Sequence, residues 1–481
     1  MRKIAALSFL VLTGTALIIK LAQEPRTHYA LSQVMQFVPD FQLPTTARVR
    51  VESFSTLAMP VPAKDSQPES KPQPPAETQV TLVLAGDTGL NGSFQPVYAS
   101  FGLKGGSRLS FEDATPAIAP VINGDINFAN LETVVTDRND LPASLKLFGF
   151  RTHPKGVQHL LDMGFNVFST ANNHSMDYGL EGARETLKHL TALGVAQAGL
   201  GATRAEAQAA RVVEAKGLRF AFGAMGIIGS GYASPSKGEA RPGQLSPGSE
   251  RDVNDVVSSL AGAPADFRVL SVHYGTEFEV TSSGADRARF QRALSEGVDL
   301  VVGHHQHVVA GVEMVDGKPI FYGMGNFLHW GTQDMGRHDM CHDYGLVARV
   351  HLMGKPGEKP SVRAIEAMPV TNMHMATRRL SPKESGARVQ AMNYLARQFG
   401  ARGVRFAVEA DGTGLFCAPG SERLTGAIGA RCAAGPVVSA PTAALASRIE
   451  EACARRVVRV VEENDDAVPA AAQVAAVGAA E

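Results

Sequence analysis

From Gln79 to about residue 370, short apolar runs recur that end in Gly, Asp, Asn or His, with stretches of helical spacing between them. Thr81–Ala85, Ile126–Leu131, Asn166–Thr170, Arg219–Ala224, Arg268–Val272, Leu300–Val302 and Ile320–Tyr322 predict strands. Runs this short, bounded by turn residues, suit strands buried on both faces. Pro154–Met163, Leu180–Leu193 and Ala285–Glu296 predict helices between them. Strands alternating with helices predict an α/β layered domain with buried sheets. Leu346–His351 and Val362–Ala367 have no helical stretch between them and predict an antiparallel edge. Beyond Asn372, Pro382–Phe399 predicts a helix, Val404–Phe416 a hairpin turning at Asp411-Gly412, and Ala443–Glu462 a further helix. There is no internal repeat.

The N-terminus reads differently. Met1-Arg2-Lys3 precedes an uncharged run from Ile4 to Ile19 that ends at Lys20. As a helix this run covers about 24 Å, slightly short of a ~30 Å hydrocarbon core, although Lys3 and Lys20 can snorkel to the two interfaces. A cleavable signal peptide is the alternative, but no small-x-small site follows the run. Residues 1–23 are therefore expected to be a signal anchor or signal peptide, the anchor being favoured. Both readings export the bulk of the chain. Six prolines between Pro60 and Pro75 mark residues 24–78 as a Pro-rich linker. The main domain is expected over 79–372, a C-terminal α/β extension over 373–466, and a disordered Ala-rich tail over 467–481.

Composition narrows the class. The 481 residues carry 46 basic and 47 acidic side chains, and this balance argues against a nucleic-acid partner. Hydrophobic residues make up 44% and charged ones 19%, which supports a large core and excludes a disordered chain. Four cysteines are too few for a disulfide scaffold and lack CxxC spacing. In an exported protein, Cys417 and Cys432 are candidates to pair.

The candidate chemistry lies at the strand ends. Gly86-Asp87, Asn130-Leu131-Glu132, Ala171-Asn172-Asn173-His174, His273 and Gly303-His304-His305-Gln306-His307 each follow a predicted strand. Ligands and catalysts collect beyond the carboxyl ends of strands in open α/β sheets. Singly, Asp87 suits a turn or helix cap, Glu132 a solvated loop, Asn172 and Asn173 a turn, and His273 a structural hydrogen bond. Jointly they deliver carboxylates, amides and imidazoles to one rim. That mixture suits Mn²⁺, Fe²⁺ or Zn²⁺. One or two ions are expected, and two about 3.5–4 Å apart can share a carboxylate and clamp a phosphoryl group.

These motifs, with Asp177-Tyr178-Gly179, His273-Tyr274-Gly275 and Gly325-Asn326-Phe327, resemble the CapA/PgsA family of poly-γ-glutamate capsule biosynthesis proteins, within the calcineurin-like metallophosphoesterase superfamily. The resemblance covers roughly residues 79–370. It implies a four-layer α/β/β/α metallophosphatase-like sandwich. It also implies Asp87, Glu132, Asn173, His273, His305 and His307 as metal ligands, with His174 catalytic and His304 the alternative if the register shifts by one. Gly89 stands where the superfamily has a second His, Glu132 where it has a bridging Asp, and Tyr274 where the family commonly has Trp. The first two departures weaken the inference of ordinary phosphatase activity. The implied role is an extracytoplasmic, membrane-anchored component of capsule or poly-γ-glutamate-type polymer biosynthesis or export. Its implied partners are membrane-bound synthase or export subunits, an anionic polymer or phosphoester, and the inner membrane through the N-terminal helix. A metal-dependent phosphoesterase is the competing reading. Of the remaining residues, Asp177 is expected to orient His174 or cap a helix, and Asn326 to shape a turn. His329, His338, His342, Asp334, Asp339 and Asp343 are candidates to line the pocket. Arg151, Lys155, Arg184 and Lys188 are candidates for a basic groove.

Overall fold

A computed structural model describes residues 77–91, 100–102, 108–144, 148–227, 233 and 241–455. The expected anchor, nearly all of the linker and the expected tail lie outside these residues. No helix among the described residues is long and apolar enough to cross a membrane.

Two mixed sheets organise the α/β fold. The strands are β1 (Thr78–Gly89), β2 (Ile126–Leu131), β3 (Val167–Ser169), β4 (Ala196–Ala198), β5 (Arg211–Ala215), β6 (Leu218–Gly226), β7 (Phe267–His273) and β8 (Leu300–His304). They continue with β9 (Val312–Val315), β10 (Lys318–Phe321), β11 (Asn326–His329), β12 (Gly345–Gly354), β13 (Ser361–Thr371), β14 (Arg378–Arg379), β15 (Ala407–Val408) and β16 (Gly414–Cys417). The first sheet runs β15-β16-β13-β12-β1-β2-β3-β4, with β11 paired to β1 and β14 to β13. The second runs β9-β10-β8-β7-β6-β5. β1 to β4 are parallel to one another, as are β6, β7, β8 and β10.

Side-chain alternation explains the packing. Val80, Leu82 and Leu84 of β1 join Phe128 of β2, and Phe220, Phe222 and Ala224 of β6, in one apolar cluster shared by both sheets. Phe128 and Phe222 stack across it with ring centroids 5.7 Å apart. The opposite side of β1, through Val83 and Ala85, packs against Val157 and Leu160 of helix α1 (Pro154–Asp162). The opposite side of β6, through Ala221 and Met225, packs with Val256 and Leu260 of helix α3 (Glu250–Gly262) and Phe290 of α4 (Gly284–Ser295). Helix α2 (Gly179–Ala192) lies between α1 and α3 in sequence. Strands buried on both faces read as near-continuous apolar runs, which is why the sequence pattern located them.

The predicted antiparallel pair forms, since β12 and β13 are antiparallel, but it is no edge. β12 also pairs with β1, and β13 with β16, so the C-terminal hairpin extends the sheet beyond it. That hairpin turns through Asp411-Gly412, as expected. Helix α5 (Pro382–Leu395) starts with a Ser381/Glu384 capping box and places Val389 and Met392 in the inter-sheet cluster. Two short helices follow, α6 (Gly426–Ala433) and α7 (Ala443–Ala454). Two disulfides tie this region down. Cys417–Cys432 joins β16 to α6, as expected, and Cys341–Cys453 joins the segment after β11 to α7, which spacing did not suggest.

Candidate metal centre

Asp87 lies near the end of β1, beside a close approach of two backbones. A Cβ on Gly86 would lie 1.9 Å from the Gly325 carbonyl oxygen, so this position requires glycine. The approach lets Asp87 N donate to Gly325 O at 2.9 Å, and β11 then runs parallel to β1 with Asn326 opposite Asp87. Asn326 therefore begins a strand instead of shaping a turn. On the other side of β1, Asn130 of β2 lies opposite Asp87 and donates from Nδ2 to Asp87 Oδ1 at 2.9 Å. Glu132 follows β2 directly and is buried.

The turn after β3 separates its two asparagines by role. Asn172 builds the turn, donating from Nδ2 to Leu131 O at 2.9 Å and accepting His174 N at 3.1 Å. Asn173 instead places Oδ1 2.6 Å from His273 Nε2. His273 and His304 are paired at the ends of β7 and β8. Past β8, His305 and His307 have φ of 94° and 60°, a region that side chains other than glycine enter rarely and that is enriched at functional sites. His305 Nδ1 lies 3.1 Å from His273 Nε2. His307 Nδ1 lies 2.8 Å from Asn326 Oδ1 and 3.4 Å from Asp87 Oδ2.

Two sets of three ligand atoms result, each within 4.8 Å of one another: Glu132, His273 and His305, and Asp87, Glu132 and His307. Glu132 belongs to both. Its Oε1 is buried without a hydrogen-bond donor, 3.4 Å from His273 Nε2 and 3.9 Å from His174 Nε2. A buried carboxylate oxygen without a donor is costly unless a cation approaches it. The site therefore fits a divalent metal, and its O- and N-donor set suits the harder first-row ions. His304 belongs to neither set, although its Nδ1 lies 3.2 Å from Asp87 Oδ1.

The ionisable groups of the cluster act strongly on one another. Burial and the Glu132 charge push Asp87 up, yet hydrogen bonds from His304 and His307 outweigh them and hold it well below the usual carboxylate range. Burial likewise opposes the charge of Glu132, but His273, His329 and His307 keep it ionised. Burial, reinforced by His273 and His307, pushes His305 down to about 3 against the pull of Glu132 and Asp87. Burial also disfavours the His307 cation, but the Asp87 hydrogen bond with the charges of Glu132, Asp87 and Glu277 raises it to about 9.

His174 flanks the cluster. Its Nδ1 lies 2.6 Å from Asp177 Oδ2, which also accepts Phe150 N at 2.8 Å. Asp177 thus holds the ring, and Nε2 is the nitrogen near Glu132. All seven residues expected from the sequence as ligands or catalyst come together here. Asn130 and Asn91 have no role among the sequence expectations, whereas His329, expected as a candidate to line the pocket, does reach the cluster. His329 closes β11 and places Nε2 3.1 Å from Glu132 Oε2. His338 stands behind Phe278, whose ring is 6.2 Å from it and 6.3 Å from His307. His342 bonds Asp339, and Asp343 pairs with Arg388, so this part of the segment holds itself together. Of the basic-groove candidates, Arg151 stacks over Tyr178 at 5.2 Å and Lys188 pairs with Glu185.

Comparison with known proteins agrees with the geometry. Residues 81–330 match the model of a family described as bacterial capsule synthesis protein PGA_cap. The chain is similar to the PGA biosynthesis protein CapA of Bacillus subtilis, 32% identical over 202 residues that cover 41% of this chain and 52% of that protein. It is also similar to a probable polyglutamine synthesis accessory protein of Mycobacterium tuberculosis, at 27% identity over 58% of this chain and 74% of that one. The capsule biosynthesis protein CapA of Bacillus anthracis is 24% identical, over 52% of this chain and 60% of that protein. The match thus spans about half the length of the Bacillus subtilis relative.

Proposed function

This chain belongs to the bacterial capsule synthesis protein PGA_cap family, and from that premise we propose that it is an extracytoplasmic metal-binding protein in the biosynthesis or export of a capsule polymer of poly-γ-glutamate type. The carrying observation is the buried Glu132, shared by two ligand sets and left with an unpaired Oε1. Asp87, Glu132, Asn173, His273, His305 and His307 hold one or two ions of Mn²⁺, Fe²⁺ or Zn²⁺. The layers are read as α/β/β/α, a reading supported by one apolar cluster shared by the sheets and one on the outer side of each. Two disulfides support a compartment outside the cytoplasm, since such bonds persist where thiols are not kept reduced. The N-terminal apolar run would anchor the chain in the inner membrane beside synthase or export subunits.

When bound, the ion would supply Lewis-acid polarisation of an anionic substrate oxygen. The chain's own residues then have separate tasks. The carboxylates, the imidazoles and the Asn173 amide oxygen would hold the ion. His174, fixed through Nδ1 by Asp177, can hold or deliver a proton at Nε2. That dyad favours the second reading, a metal-dependent phosphoesterase acting on a cell-envelope or small-molecule phosphoester.

Elemental analysis of the purified full-length protein tests the first reading. The expected result is one or two equivalents of a first-row metal, lost in part in His305→Ala and Asp87→Ala while circular dichroism stays unchanged. Metal-free wild-type protein, after growth and dialysis with Mn²⁺, would remove it. Turnover of a phosphoester panel, abolished in His174→Asn, would select the second.

A further inference from the structure

We propose that His329 is a positioning residue for the shared carboxylate: it ties one oxygen of Glu132 through a donated hydrogen bond and so leaves the other for metal, without being a ligand itself. This rests on the metal-binding reading and adds a group that neither ligand set contains. The backbone brings His329 there. β11 pairs with β1 so that His329 lies opposite Gly89, and Trp330 N donates to Gly89 O at 2.8 Å. Gly89 has no side chain, and the imidazole arrives from the neighbouring strand.

The proton on His329 is assigned by its neighbours. Asn91 is buried and one backbone carbonyl fixes its amide orientation. The carbonyl oxygen of Trp330 can only accept, so the atom 2.7 Å from it is Nδ2, and Oδ1 lies on the side of Thr152 Oγ1, 3.4 Å away. Nδ2 is therefore the atom 3.4 Å from His329 Nδ1, and Nδ1 must accept. A neutral imidazole that accepts at Nδ1 carries its proton on Nε2. That Nε2–H donates to Glu132 Oε2 at 3.1 Å. His329 belongs to neither ligand set. Glu132 is thus divided: Oε2 is tied, and Oε1 is the unpaired atom beside His273 and His174. Packing fixes the ring, since Phe150 meets His329 edge-on at 5.1 Å and His329 N donates to Met373 O at 2.8 Å.

The test is a Co²⁺ titration of full-length wild type, His329→Phe and His329→Gln, followed by visible absorption, with thermal unfolding of each metal-free form as the folding control. A partner that orients a ligand typically contributes about 10–100-fold in metal affinity. The expected result is a loss of that size in His329→Phe with the wild-type number of ions at saturation. His329→Gln, which keeps an N–H donor, should recover most of the affinity and the wild-type spectrum. Wild-type affinity in His329→Phe would overturn the proposal while leaving the metal reading intact. An ion lost at saturation from both variants would make His329 a ligand and overturn it too. Should His329→Phe fail to fold, His329→Gln decides alone: near-wild-type affinity and spectrum support the donor role, and a lost ion overturns it. No Co²⁺ bound by wild type would overturn the metal reading and this proposal together.

Discussion

Glu132 is the residue through which both ligand sets must pass, and this makes its substitution distinguishable from any other. Glu132→Asp withdraws the carboxylate by one methylene while keeping its charge. Both ions should then weaken together, each by tenfold or more on the scale seen for groups around metal sites. His307→Ala touches only the set containing Asp87, so calorimetric titration should show one binding event lost and the other retained. Equal loss of both events in the two variants would mean that the sets do not act as separate sites. The candidate ligands were legible in the sequence because each lies at or within a few residues of a strand end, and a polar residue after a short apolar run is visible without knowing the fold. Asn91 was not legible, and His329 was legible only as a candidate to line the pocket, not as a partner of Glu132. Their places depend on β11 lying beside β1, a pairing across more than half of the described chain that no local pattern encodes. The family resemblance singled out Asn173, and the turn that Asn172 builds gives the physical reason.

At the scale of elements, strand centres and local antiparallel pairs were predictable, and neighbours distant in sequence were not. β12 and β13 read as an edge because nothing in their own sequence signals that the later hairpin will cover them. That cover is held by a buried polar network. Glu366 of β13 accepts from Arg431 of α6 at 2.6 Å and lies 2.7 Å from His351 Nε2 of β12, while Arg431 also pairs with Glu409. Burial would raise the Glu366 carboxyl, but hydrogen bonds from His351 and Arg431 with their charges lower it from 4.5 to about 2. A carboxyl depressed in the folded state stabilises above its unfolded value and loses that stabilisation as pH falls toward the folded one. The network's contribution should therefore be complete above about pH 4.5 and disappear toward about pH 2. In that window urea unfolding of wild type should show an added slope approaching ~1.4 kcal/mol per pH unit over Glu366→Gln. Parallel curves would assign the acid sensitivity elsewhere. The inter-sheet contact should respond differently. Phe222→Ala removes one ring of the Phe128 stack and should cost about 3–5 kcal/mol at any pH, without changing metal stoichiometry.

Across the whole molecule, the two disulfides divide the work of holding the C-terminal region by the loops they close. Cys417–Cys432 spans 15 residues and Cys341–Cys453 spans 112. If cross-links act mainly by restricting the unfolded chain, the shorter contributes about 3 kcal/mol and the longer up to about 4.7. The longer also fastens α7 to the segment that follows His329, through an apolar cluster of Met340, Cys341, Ala391, Ile449 and Ala452. Paired Cys→Ala variants should therefore unfold at lower urea in the order wild type, then the Cys417/Cys432 pair, then the Cys341/Cys453 pair. Metal affinity supplies the second readout. Both bonds lie outside the ligand sets, but only the longer anchors the chain that leaves the metal rim, so only its removal should also weaken Co²⁺ binding. Equal stability losses with unchanged affinity would show that packing of α7 holds that segment unaided. A larger loss from the longer bond, accompanied by weaker metal binding, would tie the integrity of the site to an oxidising compartment, where such bonds persist.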